Sequence, residues 1–336
     1  MVFKRKKRVV FASVAVLVLV GSLALAFYFK LWRPADPEAA PRLFVVEQGW
    51  ALPRVAGELE QAGIIADRRA FRLWARLKGA GGSIRAGEYN IGPNMSPAEI
   101  LEELTSGSVV THVVTVPEGY TVDQIAALLE AKGLVSSRSE ITALLEDKGL
   151  MEAYELPGPT LEGYLYPDTY YFARGLRPRR MVEEMIRRFL EVARPLREHA
   201  AERGMDLKEL VILASIVEKE TGLASERPVI ASVFLNRLDR GMRLESDPTV
   251  IYGLSEFDGN LTRKDLETPT SYNTYEIRGL PPGPIANPGI DSMKAVLDPA
   301  DTDYLYFVSR NDGSHHFSRT LAEHNRAVWK YQKGGG

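Results

Sequence analysis

The chain has 336 residues, enough for one large domain or two to three modest ones, and its 45% hydrophobic and 26% charged residues are ordinary for a folded protein. The net charge is −2, but five positive charges (Lys4, Arg5, Lys6, Lys7, Arg8) fall in the first eight residues, so the remainder carries −7, a mildly acidic body that argues against binding nucleic acid. Cysteine is absent, which excludes disulfides, thiolate catalysis and cysteine-held metal.

Residues 1–8 form a basic tail. No charged residue occurs from Val9 to Phe29. At helical rise this run spans roughly 31 Å, about the thickness of a bilayer's hydrocarbon core. It reads as a transmembrane helix over 9–29. The basic cluster before it places the N-terminus in the cytoplasm and the rest of the chain outside the cytoplasmic (inner) membrane. Tyr28 and Trp32 then sit at the outer boundary. The alternative is a cleaved signal peptide, since Ala24-Leu25-Ala26 resembles a cleavage site. The apolar run is longer than a usual signal core and continues past that site. Either way the bulk of the protein is exported. Residues 30–42 are a linker whose proline-rich part (33–41) is semi-rigid, and folded structure is expected from about Leu43.

Two segments then read alike: FVVEQGWALPRVAGELEQAGII (44–65) and VTVPEGYTVDQIAALLEAKGLV (114–135). An offset of 70 aligns Gly49 with Gly119, Ala56 with Ala126, Leu59 with Leu129 and Gly63 with Gly133. Each copy predicts a strand, a glycine turn, an amphipathic helix and a glycine stop. Strand–turn–helix units also look alike without common origin. Between the copies a helix (67–78), a strand (85–91) and a helix opened by Ser96-Pro97 are expected. Residues 43–113 therefore resemble a LysM-like α/β module, the class that binds N-acetylglucosamine-containing glycans. Residues 114–150 form a repeat-like subdomain and 151–333 a catalytic core, with 334–336 a frayed tail.

In the C-terminal half, helices are expected over 181–201, 206–221 and about 225–240. Residues 242–290 are rich in Pro, Gly, Asn, Asp and Tyr. So long a stretch without periodicity points to function rather than an idle loop. A strand over 304–309, another near His315–Phe317 and a helix over 320–332 complete the chain. In the 206–221 helix, Leu207, Leu210, Val211, Ala214 and Val217 form a buried stripe that Glu218 shares, while Glu220 lies about 200° away and faces elsewhere. A carboxyl on an apolar stripe must be paired, hydrogen-bonded or partly protonated. Desolvation raises its pKa and suits a general acid near neutral pH. A final-turn Glu that simply reaches water fits the same pattern.

The motifs L-E-G-Y-L-Y-P-D-T-Y (161–170), S-I-V-E-K-E-T (215–221), N-R-L (236–238), D-P-T-V-I-Y-G (247–253), Y-N-T-Y (272–275), G-L-P-P-G-P-I-A-N-P-G (279–289), Y-L-Y-F-V (304–308) and H-N-R-A-V (324–328) occur in this order. With them the chain resembles the MltG (YceG-like) family of endolytic murein transglycosylases over nearly its whole length. The family often has Gln just before D-P-T, where this chain reads Leu244-Glu245-Ser246.

The resemblance implies an α+β catalytic domain with Glu218 as the catalytic acid/base. It implies cleavage inside nascent peptidoglycan glycan strands, at the β-1,4 bond between N-acetylmuramic acid and N-acetylglucosamine, beside peptidoglycan synthases. One carboxyl protonates the glycosidic oxygen, then deprotonates the sugar's own 6-hydroxyl as it attacks C1. The product is a 1,6-anhydro end, and no second carboxyl is needed to activate water.

Substrate contacts are expected from Asn236, Arg237, Asp247, Tyr252, Tyr272, Asn273, Tyr275, Asn287 and His316. Against these roles, Asn236 and Arg237 can be structural bridges, Asp247 a helix N-cap, Asn287 a turn residue and the tyrosines a packed turn. Glu162 and Asp168 read as structural hydrogen-bonding groups. His315 and His316 should point to opposite faces of a strand. No metal and no cofactor is expected, since there is neither cysteine nor an H-E-x-x-H motif. Two other readings stay open: a hydrolase with Asp247 or Asp258 as second carboxylate, and a non-catalytic glycan-binding scaffold.

Overall fold

A computed structural model describes residues 2–107 and 109–333, with side chains from residue 13 onward. The side chains of the basic cluster 4–8, the first part of the apolar run and the tail 334–336 lie outside the described residues. The chain divides into two units: residues up to His112 together with Tyr171–Arg177, and Val113–Tyr170 together with Pro178 onward.

The first unit begins with helix α1 (Val2–Trp32). Within it Ser13–Trp32 is long and apolar enough to cross a membrane, and its Val14, Leu17, Val18, Leu23 and Leu25 are exposed. After a short turn segment come β1 (Arg42–Val46), α2 (Leu52–Gln61), α3 (Arg68–Leu77), β2 (Gly87–Ile91) and α4 (Pro97–Ser106). β1 and β2 pair antiparallel, with Phe44 opposite Tyr89. Local chemistry accounts for the helix starts. Asp67 caps α3 by accepting from the Arg69 and Ala70 amides. Ser96 and Glu99 form a reciprocal capping box on α4. Phe44, Val46, Val55, Leu59, Phe71, Tyr89 and Ile100 close one core. Glu88, almost fully buried, is held by His112 (2.6 Å) and Arg174 (3.1 Å), which ties residues 171–177 to this unit. The order strand–helix–helix–strand is the one expected from sequence.

The chain crosses between units within β3 (Thr111–Thr115) and β4 (Thr169–Ala173), which pair with each other. The second unit continues with α5 (Val122–Ala131), α6 (Ser139–Thr142), α7 (Lys148–Ala153), α8 (Pro178–Glu202), α9 (Leu207–Glu220) and α10 (Arg227–Asp239). It ends with α11 (Asp247–Gly253), α12 (Arg263–Leu266), α13 (Ile290–Leu297), β5 (Tyr306–Ser309), β6 (His315–Ser318) and α14 (Leu321–Val328). α5 stands 70 residues after α2, with Ile125, Ala126 and Leu129 buried where α2 buries Val55, Ala56 and Leu59. Both helices stop at a left-handed glycine, Gly63 or Gly133.

α9 is the axis of this unit. Asp206 and Glu209 cap it reciprocally, and Leu210 to Val217 are all buried. α8, α10 and α13 pack around it. The 242–290 segment contains α11 and α12 joined by turns, and Ser215 Oγ accepts the Ile285 amide (3.1 Å), fastening the segment to α9. Two expectations change in detail. Asp247 does not cap α11: its carboxylate accepts from the Tyr275 hydroxyl (2.7 Å) and Ser246 is the N-cap residue. The final helix stops at Val328 and is followed by a π-helical turn, Trp329–Lys333.

Gly163 shows how tightly the 161–170 motif packs here. Its φ is +89°, and an added Cβ would lie 2.5 Å from Pro284 Cγ and 2.9 Å from Val211 Cγ1. Gly163→Ala therefore combines left-handed strain with overpacking, each about 1–3 kcal/mol. Gly133→Ala, at φ +65° with nothing within 4 Å, adds backbone strain of only about 1–2 kcal/mol. Urea unfolding of the two variants should rank them in that order.

Candidate active site

Two carboxyls leave the end of α9 in different directions. Glu218 stays below the surface, with its side chain 5% exposed. Its Oε1 accepts from Arg227 Nη2 (2.9 Å) and its Oε2 from the Gly289 amide (3.0 Å). Arg227 also faces Glu118 (3.4 Å) and Asp291 (3.9 Å). Burial first, and the Glu218 charge second, push the Glu118 carboxyl above the usual range. Both oxygens of Glu218 are thus occupied, one by a guanidinium and one by a backbone amide.

Glu220 lines a cavity of about 410 Å³ together with Arg237, Glu245, Asp247, Tyr275, Tyr306, His315 and His324. That size lies within the usual range for ligand sites, about 300–1,000 Å³. Ser246 Oγ donates to Glu220 Oε1. Burial pushes the Glu220 carboxyl up to about 7; the Ser246 bond opposes this, the Asp247 charge adds to it and Arg237 opposes it weakly. Close to neutral pH this group can therefore both give and take a proton.

The surroundings are braced. Arg237 donates to the carbonyls of Leu305 (2.6 Å) and Leu244 (2.8 Å) and to Glu245 Oε2 (3.0 Å). Its guanidinium lies 5.1 Å from the Tyr306 ring centre. Glu245 has φ +52°, a left-handed conformation that is uncommon outside glycine and tends to occur at functional sites. Burial, then the bond to Asp247, push the Tyr275 hydroxyl up, so it remains a neutral donor to that carboxylate. His315 Nδ1 pairs with Glu226 (2.7 Å). Burial, then the Arg237 charge, hold His324 below the usual histidine range.

The residues expected from sequence divide into groups. Arg237, Asp247 and Tyr275 meet around Glu220. Tyr252 and Tyr272 lie elsewhere, with ring centres 4.8 Å apart and the Tyr252 hydroxyl donating to Glu162 (3.3 Å). Burial pushes the Glu162 carboxyl up to about 7. Asn287 is fully buried. It donates to Glu162 (3.1 Å) and the Tyr120 carbonyl (2.8 Å) and accepts from the Leu165 amide (2.8 Å). It is a structural tie, as is Asn273, which donates to the Leu266 and Thr268 carbonyls. Asn236 bridges to the Thr302 and Tyr304 carbonyls. Of the two histidines, His315 faces the cavity, whereas His316 lies beside Tyr331 with ring centres 5.7 Å apart. Asp168 pairs with Arg188 (2.7 Å).

Glu220, Ser246, Tyr306 and His324 were not singled out from the sequence, although each lies in or beside a quoted motif. For Glu220 a signal was available. It follows Leu213, Ile216 and Val217 by seven, four and three residues, so it too ends an apolar face of the helix.

The model of the YceG-like family matches residues 44–330. The chain belongs to this family. An endolytic murein transglycosylase of Bacillus subtilis (strain 168) is 33% identical over 333 residues, covering 94% of this chain and 91% of that protein. One from Streptococcus pneumoniae serotype 2 is 27% identical over 346 residues, covering 94% of this chain and 63% of its own length. The crystal structure of a yceG-like protein from Listeria monocytogenes superposes with a TM-score of 0.60 at 33% identity, over 85% of this chain and 98% of that one. The family places this chain among MltG-type lytic transglycosylases.

Stability should report the Glu220 environment. A carboxyl raised from 4.5 to about 7 holds more protons when folded than when unfolded between those values. Its contribution is full below about 4.5 and is lost as pH rises through about 7. Glu220→Gln should therefore gain on the wild type between pH 4.5 and 7.5 in urea unfolding. A pH-independent difference would contradict the assigned environment.

Proposed function

We propose that this protein is an endolytic peptidoglycan lytic transglycosylase anchored by α1, with Glu220 as its acid/base. It cuts the β-1,4 bond after N-acetylmuramic acid inside nascent glycan strands, leaves a 1,6-anhydro end and so limits strand length beside the synthases. The observation that carries the reading is a carboxyl near pKa 7 lining a polar cavity, in a family whose named relatives are endolytic murein transglycosylases.

Protonated Glu220 donates to the leaving glycosidic oxygen. The resulting carboxylate then takes the proton of the 6-hydroxyl as that oxygen closes on C1. The Ser246 hydroxyl stabilises Glu220 in its charged interval. Asp247, held by Tyr275, places negative charge beside a developing oxocarbenium ion. Arg237, Glu245 and Tyr306 line the sugar groove. Glu218 is the carboxyl the family motif suggested from sequence. Its ion pair with Arg227 and its bond to Gly289 suit a positioning role for the end of α9. The strand–helix–helix–strand order of the first unit supports a LysM-like glycan-binding module. The basic residues before α1 support a cytoplasmic N-terminus.

The test digests purified glycan strands with the full chain in detergent and reads product masses. The account expects ends lighter by one water than hydrolytic ends. Glu220→Gln should lose about 10²–10⁴-fold in rate, the usual worth of a general acid/base. Glu218→Gln should cost less in rate than Glu220→Gln, with its larger effect on stability. Reducing ends alone would point to the hydrolase. Full loss in a folded Glu218→Gln, with Glu220→Gln active, would return the role to Glu218.

A further inference from the structure

α3 carries four basic side chains, with Lys78 just after it, and no acidic one, and the sequence stays free of acid until Glu88. Its inner arc, Ala70, Phe71 and Ala75, is buried. At 100° per residue the opposite arc presents Arg69, Arg72, Leu73 and Arg76, and Leu77 follows at its margin in the last turn. Leu73 and Leu77 are 49% and 67% exposed, so these leucines contribute little to internal packing. Among the described residues Arg68 pairs with Glu60, whereas no ion pair engages Arg69, Arg72 or Arg76.

The position of this helix is fixed by the end of α1. Asp67, the N-cap of α3, pairs with Lys30 (2.5 Å), and the Trp74 ring lies 6.5 Å from the Trp32 ring. Lys30 and Trp32 close the apolar span with a cation and an aromatic ring, the residue types that settle at the headgroup level. α3 is thereby held at that same level. A helix with arginines beside exposed leucines at this depth has the features of an interfacial membrane helix.

We propose that α3 is a second membrane contact, with Leu73 and Leu77 entering the acyl boundary and Arg69, Arg72 and Arg76 engaging anionic lipid headgroups. The inference rests on reading α1 as a span. Lipid is favoured over an acidic protein because a bilayer around α1 is continuous with this face, and its anionic headgroups complement the arginines. Two contacts fix the orientation of the first unit on the membrane more firmly than one span alone.

The chain has no cysteine, so a single introduced one reports cleanly. Full-length Leu77→Cys carrying a polarity-sensitive fluorophore is reconstituted in phosphatidylcholine vesicles with or without phosphatidylglycerol. A label at Glu256→Cys, an exposed position in the second unit, is the reference. With anionic lipid the label at 77 should shift to the blue and be quenched severalfold less by iodide than the label at 256. Arg69→Glu with Arg76→Glu should reverse this, and high salt should weaken it. Protein that does not float with vesicles would remove the span and this inference together. Protein that floats while the label at 77 is quenched like that at 256 would overturn the second contact alone. Equal protection in both lipids would overturn the anionic-headgroup assignment. Protection that needs an acidic peptide instead of vesicles would give the face to a protein.

Discussion

A general acid must be reachable by substrate and still hold its proton at neutral pH, and the role proposed for Glu220 rests on the last turn of α9 giving two neighbouring carboxyls opposite surroundings. Glu218 turns inward to Arg227 and the Gly289 amide, where its charge is matched. Glu220 turns into the cavity, where burial and the Asp247 charge oppose ionisation while the Ser246 hydroxyl and the Arg237 charge favour it. Environment, not residue type, separates the roles. The rest of the second unit keeps that helix end in place. Asp206 starts α9, Ser215 ties it to the 279–289 segment, and Gly289, at the end of that segment, meets Glu218.

The two strand–turn–helix copies are put to different uses. In the first, the Gly49 turn is open, with nothing within 4 Å of a Cβ added there. In the second, Gly119 lies against Glu218, and its carbonyl accepts from Lys219 (3.3 Å). The Gly119 amide donates to the Asn287 carbonyl (2.9 Å), so this turn is built into the second unit. The same local pattern thus closes a core in one unit and braces the end of α9 in the other.

Much of this was legible in the sequence because it is local. The helix cap at Ser96, the stops at Gly63 and Gly133 and the buried stripe of α9 follow from residue type and period. Glu218 was read correctly as sharing that stripe, and its burial was then taken as the mark of an acid. What the sequence lacked was the partner: Arg227, which lies on the next helix, and the Gly289 amide already occupy both oxygens of that carboxyl. Asp247 preceding Pro248 looked like a cap because the Tyr275 hydroxyl that holds it is 28 residues away. Asn273 and Asn287 looked like sugar ligands because Asn suits both sugars and turns. Only the fold shows their amides already occupied by backbone carbonyls. The alternation of His315 and His316 was legible, but which of them met the cavity depended on where α14 and the chain end fall.

The central claim concerns one proton on Glu220, and the pH dependence of kcat/KM on glycan strands measures it most directly, because that ratio reports the free enzyme's essential groups. The account predicts activity that falls as pH rises through about 7, the value at which Glu220 loses its proton, with the fall displaced upward in Ser246→Ala, where the hydroxyl no longer favours the anion. A profile that stays flat across pH 6 to 8, or a fall that Ser246→Ala leaves in place, would contradict it.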